Sequence, residues 1–196
     1  MNNGDGSFFV ALSDGMGSGQ KAAMQSRTTI NLLEQFMESG FDRDTTIKMI
    51  NSILLLKSSD ESFSTVDLSV IDLYNGEVEF VKVGAVPTFI KRSDRVEVVR
   101  SASLPAGILS NIELELIHKK LGSGDFIIMM TDGVYDLFKG DEGNDKFLQE
   151  YIDEVRSLNP QQIADRILEK AYESCEGKPP DDMLVVVAKV WKRPGV

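Results

Sequence analysis

Three short acidic motifs are spaced along the chain, and each lies at one end of an apolar segment typical of a buried strand. They are Ser13-Asp14-Gly15, Thr131-Asp132-Gly133 and Asp181-Asp182-Met183. Residues 8–12 and 126–130 lead into the first two motifs, and residues 184–188 follow the third. Carboxylates at strand ends, beside glycines that let the backbone come close, offer the oxygen ligands that hard divalent cations prefer. Three such ends brought together by a sheet would form a metal site with bound water, which indicates hydrolysis of a phosphate ester.

The scarcity of histidine and cysteine restricts the kind of site. The 196 residues include one histidine, His118, and one cysteine, Cys175. They cannot form a zinc site of Cys and His ligands or an internal disulfide. A Ser-His-Asp triad would need His118, but residues 112–118 alternate as in a partly exposed strand, and we expect a strand histidine there. The ligands of a bound metal would therefore be oxygens, which favours magnesium or manganese over zinc.

The charge and hydropathy of the chain exclude further classes of protein. The formal net charge is −10, which favours solubility and argues against nucleic-acid binding, because phosphate backbones need a basic stripe. No segment approaches the roughly 18–20 apolar residues of a membrane helix, and the first residues lack the pattern of a signal peptide. Together with the single cysteine, these features predict a chain that is not in the membrane and lies in the cytoplasm.

The glycine-rich segment over residues 15–19 suggests an alternative, nucleotide binding. It joins a strand to a helix, and a helix N-terminus suits a phosphate group. However, Gln20-Lys21 follows Gly19 where a P-loop has Gly-Lys-Ser/Thr. The later acidic residue and the parallel βαβ context of a dinucleotide site are also missing. Nucleotide binding is therefore disfavoured, and an ordinary glycine-rich connection is the other interpretation of this segment.

The apolar periodicity predicts the elements that must position the motifs. A strand over residues 7–13 precedes two amphipathic helices, and a run of strands with turn signals at Asn75-Gly76, Ser93-Asp94 and 122–124 follows. Two more helices, the second with a cap at Asn159-Pro160, precede the last strand. The predicted helices with clear limits are 18–38 and 44–57, and the later strands are 66–70, 77–80, 88–91, 95–99, 112–118, 125–131 and 183–191. This order predicts one layered α+β domain over residues 1–196, while periodicity leaves open whether the strands form one sheet or two.

The motifs taken together resemble those of the metal-dependent protein phosphatase (PPM) family. The residues that carry the resemblance are 11–19, Thr131-Asp132-Gly133-Val134 and Asp181-Asp182-Met183, supported by 45–54, 64–73, 81–92 and 104–108. The resemblance extends over nearly all of the chain. It implies an α+β fold, a PPM-type β-sandwich of antiparallel strands flanked by helices.

The same resemblance implies the roles of individual residues. Asp14 and Asp132 are expected to be catalytic, and Asp14, Gly15, Asp132 and Asp181 to hold two Mn²⁺ or Mg²⁺ ions. Asp14 would bridge the ions, the Gly15 carbonyl would contact one of them, and Asp132 with Asp181 would hold the other, with Asp182 as the alternative to Asp181. A water between the ions would attack phosphorus. The implied substrate is a phosphoserine on an anti-sigma-factor antagonist protein, in the control of sporulation sigma factors.

The chain departs from the family pattern at its start. The family has a further ligand aspartate on a strand one hairpin before the first motif, whereas residues 3–6 here predict the hairpin turn itself. Asp5 lies on that turn, so we do not expect it to be the ligand. We expect the chain to lack its N-terminal strand, the metal site to be partial, and the exposed sheet edge to allow a homodimer. Leu184 replaces a common threonine, and Asp136 lies at a position that is acidic in relatives.

Two functions therefore stay open. The first is a protein serine phosphatase, and the alternative is a catalytically incompetent regulatory domain that binds a phosphoprotein or another partner. The two helices after the first motif resemble the regulatory switch of the family, although for these helices alone core packing is the favoured interpretation.

Overall fold

A computed structural model describes residues 6–17, 19–56 and 63–191. Ser18 of the first motif, and Asp5 with most of the turn predicted over residues 3–6, lie outside the described residues. The chain divides into two compact units: Met1–Ala85 with Ser101–Lys119, and Val86–Arg100 with Lys120–Val196. Each unit contains antiparallel strands and helices, so the α+β fold class predicted from the sequence is confirmed.

The helices and strands follow the predicted order, with one additional short helix. In chain order they are β1 (Ser7–Leu12), α1 (Gln20–Glu38), α2 (Arg43–Leu56), β2 (Val66–Asp72), β3 (Glu77–Val83), β4 (Thr88–Lys91), β5 (Val96–Val99), β6 (Leu116–Lys120), β7 (Phe126–Met130), α3 (Asp132–Tyr135), α4 (Asn144–Glu154), α5 (Pro160–Ser174) and β8 (Val185–Lys189). The additional helix is α3, which begins at the second acidic motif. Among the described residues, no helix has the length and hydropathy needed to cross a membrane.

The sheet of the first unit has the strand order β1-β2-β3-β6. β1 and β3 both pair antiparallel with β2. The hairpin predicted at Asn75-Gly76 forms, but its connection spans residues 73–76, because the Asp72 carboxylate accepts a hydrogen bond from the Tyr74 amide at 2.7 Å. Gly76 adopts a φ of +75°, a region in which glycine is favoured.

The core of the first unit lies between this sheet and its two helices. Alternate residues of β2 and β3 point to one face of the sheet, where they meet the apolar faces of α1 and α2. The buried side chains of this core include Leu33, Met37, Ile47, Ile50, Leu54, Val66, Leu68, Val70, Val81 and Val83. Burial of each Leu, Ile or Val contributes roughly 1.5–3 kcal/mol. This packing fixes the position of α1, which follows the first acidic motif.

The sheet of the second unit has the strand order β5-β4-β7-β8, and every pairing is antiparallel. α4 and α5 contribute buried side chains to the same core, which includes Phe89, Phe126, Ile128, Met130, Val134, Leu148, Ile152, Ile163, Ile167 and Ala171. The predicted cap of the last helix is confirmed: the Asn159 side chain accepts a hydrogen bond from the Gln161 amide at 2.9 Å, and Pro160 is the first helical residue.

One prediction about the middle strands is wrong. The strand predicted over residues 112–118 is found at Leu116–Lys120, and Ile112 is instead buried in the core of the first unit with 8% of its surface exposed. The turn at 122–124 forms, but β6 and β7 on either side of it belong to different sheets and do not make a hairpin. Strand periodicity and glycine mark a turn, and only long-range pairing decides which sheet each strand joins. The number of sheets, which the sequence left open, is two.

Candidate metal centre

Asp14 follows β1 in the first unit, and two residues that precede β2 hold its peptide groups. The Asp14 amide donates a hydrogen bond to the Thr65 hydroxyl at 2.8 Å. The Asp14 carbonyl accepts hydrogen bonds from the Thr65 amide at 2.8 Å and from the Ser64 hydroxyl at 3.0 Å. Ser64 is fully buried. The backbone at Asp14 therefore has a fixed position, which restricts the space that its carboxylate can reach.

Gly15 allows α1 to approach the Asp14 peptide closely. A Cβ atom at Gly15 would clash with the carbonyl oxygen of Ala22, which belongs to the first turns of α1. Gly15 also forms an isolated antiparallel bridge with Ser64. The requirement for glycine is therefore steric: the backbone of the motif, with the expected carbonyl ligand, lies directly against the helix.

The second motif lies in the second unit, where β7 ends and α3 begins. Asp132 is the first residue of α3, and its side chain is exposed. Thr131, immediately before it, donates a hydroxyl hydrogen bond to the Asp182 carbonyl at 3.1 Å, across 51 positions of sequence. The same hydroxyl accepts a hydrogen bond from the Leu184 amide at 3.0 Å. Thr131 therefore joins the second acidic motif to the third.

Gly133 brings the same two motifs into direct backbone contact. A Cβ atom at Gly133 would clash with the Asp182 carbonyl oxygen and would lie 3.2 Å from the Asp181 Cβ atom. The structure therefore places Asp132 next to the segment that carries Asp181 and Asp182. Both of these carboxylates are exposed, and the Asp182 amide donates a hydrogen bond to Asp181 Oδ1 at 2.8 Å. These contacts leave the choice between Asp181 and Asp182 as metal ligand open.

Asp136 lies one helical turn after Asp132, and its amide donates to the Asp132 carbonyl at 2.8 Å. Partial burial, together with the negative charge of Asp132, raises the pKa of the Asp136 carboxyl above its usual range. The environment of Asp132 therefore already contains a second acidic group. The sequence singled out Asp136 but assigned it no role.

A hydrogen-bonded link that joins α3 to the start of α4 was not predicted from the sequence. The Tyr135 hydroxyl donates to Asp145 Oδ1 at 2.6 Å, and Asp145 forms an ion pair with Arg100. Asn144 donates a further hydrogen bond to the Tyr135 carbonyl at 3.3 Å. Burial and the bond to Asp145 raise the pKa of Tyr135, which therefore stays a hydrogen-bond donor at neutral pH. No local motif signals this link between α3 and the start of α4, because its partners lie 9 and 10 positions from Tyr135, beyond the spacing of neighbours on one helix.

The donors around the motifs fit a hard divalent cation. All of them are carboxylate or carbonyl oxygens, the ligands that Mg²⁺ and Mn²⁺ prefer. The close backbone contact between Gly133 and Asp182 supports this fit in the second unit, because it allows Asp132 to lie beside the third motif. Among the described residues, no group of three or more Asp, Glu, His or Cys side chains lies together in a way that could hold a metal ion. Asp132, Asp181 and Asp182 lie in the second unit, and Asp14 and Gly15 lie in the first.

Comparison with known sequences gives close relatives. The family described as stage II sporulation protein E matches residues 4–191. Stage II sporulation protein E of Bacillus subtilis (strain 168) is 42% identical over 190 residues, which cover 97% of this chain and 23% of that protein. The protein of the same name from Priestia megaterium is 41% identical over 185 residues, covering 94% of this chain and 32% of that protein. The chain thus spans about a quarter to a third of the length of these two relatives.

Solved structures give the same result. The PP2C phosphatase domain of the cell fate determinant SpoIIE from Bacillus subtilis, solved with a fragment of its regulatory domain, has a TM-score of 0.86 at 42% identity. This match covers 94% of the present chain and 55% of the solved one. A Mn-presoaked structure of the SpoIIE phosphatase domain has a TM-score of 0.65 at 33% identity, covering 97% and 90%.

A more distant structure supports the fold alone. The serine/threonine phosphatase PstP/Ppp of Mycobacterium tuberculosis is 19% identical with a TM-score of 0.71, and the match covers 94% of this chain and 88% of that one. Two antiparallel sheets with flanking helices are therefore features that this chain shares with solved PP2C-type phosphatase domains. On this evidence the chain belongs to the stage II sporulation protein E family and is homologous to the PP2C phosphatase domain of SpoIIE.

Proposed function

We propose that residues 1–196 act as one metal-dependent protein serine phosphatase domain. Its substrate would be a phosphoserine on an anti-sigma-factor antagonist, in the control of sporulation sigma factors. The observation that carries the proposal is the contact between the second and third acidic motifs. Thr131 and Gly133 hold Asp132 beside Asp181 and Asp182, although these residues are far apart in sequence. Membership of a sporulation family with solved phosphatase domains supports the same function.

In this proposal, Asp14, the Gly15 carbonyl, Asp132 and Asp181 hold Mn²⁺ or Mg²⁺, with two ions expected. Bound ions of this kind offset the negative charge of a phosphoryl group and lower the pKa of water. The protein's own contribution is to position these oxygens. Ser64 and Thr65 hold the peptide groups of Asp14, and Thr131 holds the segment that carries Asp182.

The nucleophile in this proposal is water, because the chain offers no histidine-activated side chain at the motifs. The single histidine, His118, lies on β6 with 70% of its side chain exposed, and its Nε2 atom lies 3.8 Å from a carboxylate oxygen of Glu79. This placement confirms the prediction of a partly exposed strand histidine.

The remaining parts of the proposal concern location and assembly. We place the chain in the cytoplasm, on the basis of its composition and single cysteine. The homodimer that we propose is supported by the order of the first sheet, in which β1 is an edge strand among the described residues.

The alternative is a regulatory domain that binds a phosphoprotein or another partner without turnover. One observation favours it: the described residues contain no group of three or more Asp, Glu, His or Cys side chains that could hold a metal ion. Binding of a phosphoserine protein without hydrolysis, in a full-length protein supplied with Mn²⁺, is the result that this alternative requires.

Hydrolysis assays test the proposed function. We expect the chain to release phosphate from a phosphoserine protein and from an aryl phosphate in the presence of Mn²⁺. Asp14→Asn and Asp132→Asn should each lower kcat at least about a hundredfold, as removal of one transition-state stabilising group does. Glu150→Gln, which removes one exposed carboxylate of α4, is the matched control and should keep full activity. Undiminished hydrolysis by both aspartate variants would contradict the proposal.

A further inference from the structure

An open groove of about 620 Å³ runs along one face of α5 in the second unit. Its lining alternates between acidic and apolar side chains. The lining residues are Asp165, Leu168, Glu169, Tyr172, Glu173 and Met183. Gln161 donates a hydrogen bond to Asp165 at 2.8 Å, and Lys170 Nζ lies 3.7 Å from a carboxylate oxygen of Glu173. The acidic motifs and the proposed mechanism do not account for this surface.

Five of these residues form a continuous stripe on α5. Positions 165, 168, 169, 172 and 173 follow the i, i+3, i+4, i+7, i+8 spacing that places side chains on one helical face. The core-facing side of the same helix is a different set, Ile163, Ile167 and Ala171, all fully buried. Leu168 and Met183 also pack against the core of the second unit, whereas Asp165, Glu169, Tyr172 and Glu173 are exposed.

The apolar members of the stripe are unusual for an outward helix face, which is normally polar. Tyr172 is 49% exposed, and Leu168 and Met183 are only half-buried. Tyrosine and methionine are enriched where proteins contact partners. These side chains therefore form an apolar floor that is open to solvent and able to bury the apolar side chain of another molecule.

The charge of the groove determines which kind of peptide segment can bind there. Asp165, Glu169 and Glu173 contribute carboxylates, and the described residues that line the groove include no lysine or arginine. The neighbouring groove between α4 and α5, of about 700 Å³, shares Asp165 and Glu169 with this groove and is also lined by Arg156 and Arg166. An acidic rim around an apolar floor complements a segment that carries basic and apolar side chains together.

The position of the groove relates it to the candidate metal centre. Met183, at one end of the groove, comes directly after Asp181 and Asp182 in sequence. The Asp182 carbonyl accepts the Thr131 hydroxyl hydrogen bond, so this end of the groove is fixed to the segment before Asp132. A chain bound in the groove would therefore extend toward the exposed carboxylates of the third motif.

We infer that the α5 groove docks the basic and apolar residues that flank the phosphoserine of the protein substrate. This inference rests on the proposed phosphatase function and adds a rule for substrate choice. Substrates with lysine or arginine and a large apolar residue near the phosphoserine are preferred. Substrates with acidic flanking residues are rejected, because their charges meet Asp165, Glu169 and Glu173.

Charge-reversal substitutions in the chain and in a phosphoserine peptide test the inference. Two fluorescent phosphoserine peptides of equal length are compared by anisotropy, one with Lys and Leu flanking the phosphoserine and one with Glu in place of each Lys. We expect the wild-type chain to bind the basic peptide about tenfold more tightly, a typical effect of a few rim charges. The double variant Glu169→Lys/Glu173→Lys should lose or invert this preference. Tyr172→Ser should weaken the binding of both peptides.

A double variant elsewhere on the second unit serves as the control for net charge. Glu142→Lys/Glu150→Lys changes two exposed carboxylates outside the groove and should keep the preference for the basic peptide. An unchanged preference in the α5 variant, or an equal loss in this control, would overturn the inference. Circular dichroism checks that each variant is folded, and the charge-neutral Glu169→Gln/Glu173→Gln variant should give an intermediate preference.

Aryl phosphate hydrolysis with Mn²⁺, measured on the wild-type chain and on the full-length protein, separates the two proposals. Hydrolysis without groove-dependent peptide preference overturns the docking inference alone. Groove-dependent preference without hydrolysis by the full-length protein overturns the phosphatase function, and with it the role of the groove in substrate docking. Hydrolysis together with groove-dependent preference supports both.

Discussion

At the scale of single residues, the acidic side chains depend on hydroxyl groups that hold their backbone. Thr65 holds both the amide and the carbonyl group of Asp14, and Thr131 holds the segment that carries Asp182. A metal ligand must occupy a position defined to a fraction of an ångström, and groups around the ligand set that position. Thr65 and Thr131 are therefore expected to affect metal binding without being ligands.

Thr65→Val tests this expectation, because it removes the hydroxyl that accepts the Asp14 amide while keeping the shape of the side chain. The unsatisfied amide should lower the free energy of unfolding by about 1–3 kcal/mol. The Mn²⁺ concentration needed for half-maximal aryl phosphate hydrolysis should also rise, since Asp14 is less well positioned.

The control is Thr28→Val, which removes an exposed hydroxyl that bonds only to the Met24 carbonyl of its own helix. We expect it to leave the Mn²⁺ dependence unchanged. If Thr65→Val lowers the melting temperature but leaves the Mn²⁺ dependence as in the wild type, Thr65 contributes to stability alone, contrary to the expectation.

At the scale of secondary-structure elements, β2 and β3 are joined by a buried ion pair as well as by their ladder. Asp67 lies opposite Lys82 in the strand register, and Lys82 Nζ lies 2.6 Å from Asp67 Oδ2. The Asp67 side chain is 2% exposed, and the Lys82 side chain is 0% exposed. Burial lowers the pKa of Lys82 despite the opposing effect of Asp67, so desolvation is the larger influence on this lysine.

A double-mutant cycle tests how this pair contributes. Lys82→Met leaves a buried carboxylate without its counter-charge and should reduce the free energy of unfolding by about 3–5 kcal/mol. Asp67→Leu combined with Lys82→Met should restore much of that loss, because two buried charges are replaced by apolar groups of similar size. Urea denaturation of the single and double variants measures both terms. A double variant as unstable as the sum of the singles would show that the pair is not coupled.

Lys48→Met is the matched control for the lysine substitution. Lys48 pairs with Asp44 at 2.6 Å within α2, but the two side chains are 50% and 47% exposed. Exposed pairs of this kind contribute little, so the change in the free energy of unfolding should stay below about 1 kcal/mol.

At the scale of the whole molecule, the candidate ligands are divided between two compact units. Asp14 and Gly15 belong to the first unit, and Asp132, Asp181 and Asp182 belong to the second. If all of them hold the ions, as we propose, metal binding stabilises both units at once. Anything that binds only the folded protein raises its stability in proportion to the logarithm of its concentration.

Thermal unfolding with and without Mn²⁺ tests this prediction. At a Mn²⁺ concentration a hundredfold above its dissociation constant, the stabilisation is about 2.7 kcal/mol, which raises the melting temperature of a domain of this size by roughly 5–10 °C. Asp14→Asn and Asp132→Asn should each lose most of this increase, although they lie in different units. An increase lost in only one of the two variants would show that one unit binds the metal by itself.

Much of the fold and of the candidate centre could be predicted from sequence because it depends on local patterns. The helix cap at Asn159-Pro160 and the strands that end at the acidic motifs follow from neighbouring residues. The helix α3 was missed because a single turn after a strand has no periodicity to detect. The strand predicted over residues 112–118 was wrong because Ile112 is buried in the core of the first unit, and β6 begins only at Leu116.

The sequence by itself determined the chemistry available to this protein: oxygen ligands, one histidine, one cysteine, and glycines beside each of the first two acidic motifs. Only the tertiary structure decided the division into two sheets, the contact of Thr131 and Gly133 with the third motif, and the acidic and apolar groove on α5. The physical reason is the range of the interactions. Composition and local spacing fix which groups and elements can form, whereas pairing and burial between distant segments fix which groups meet.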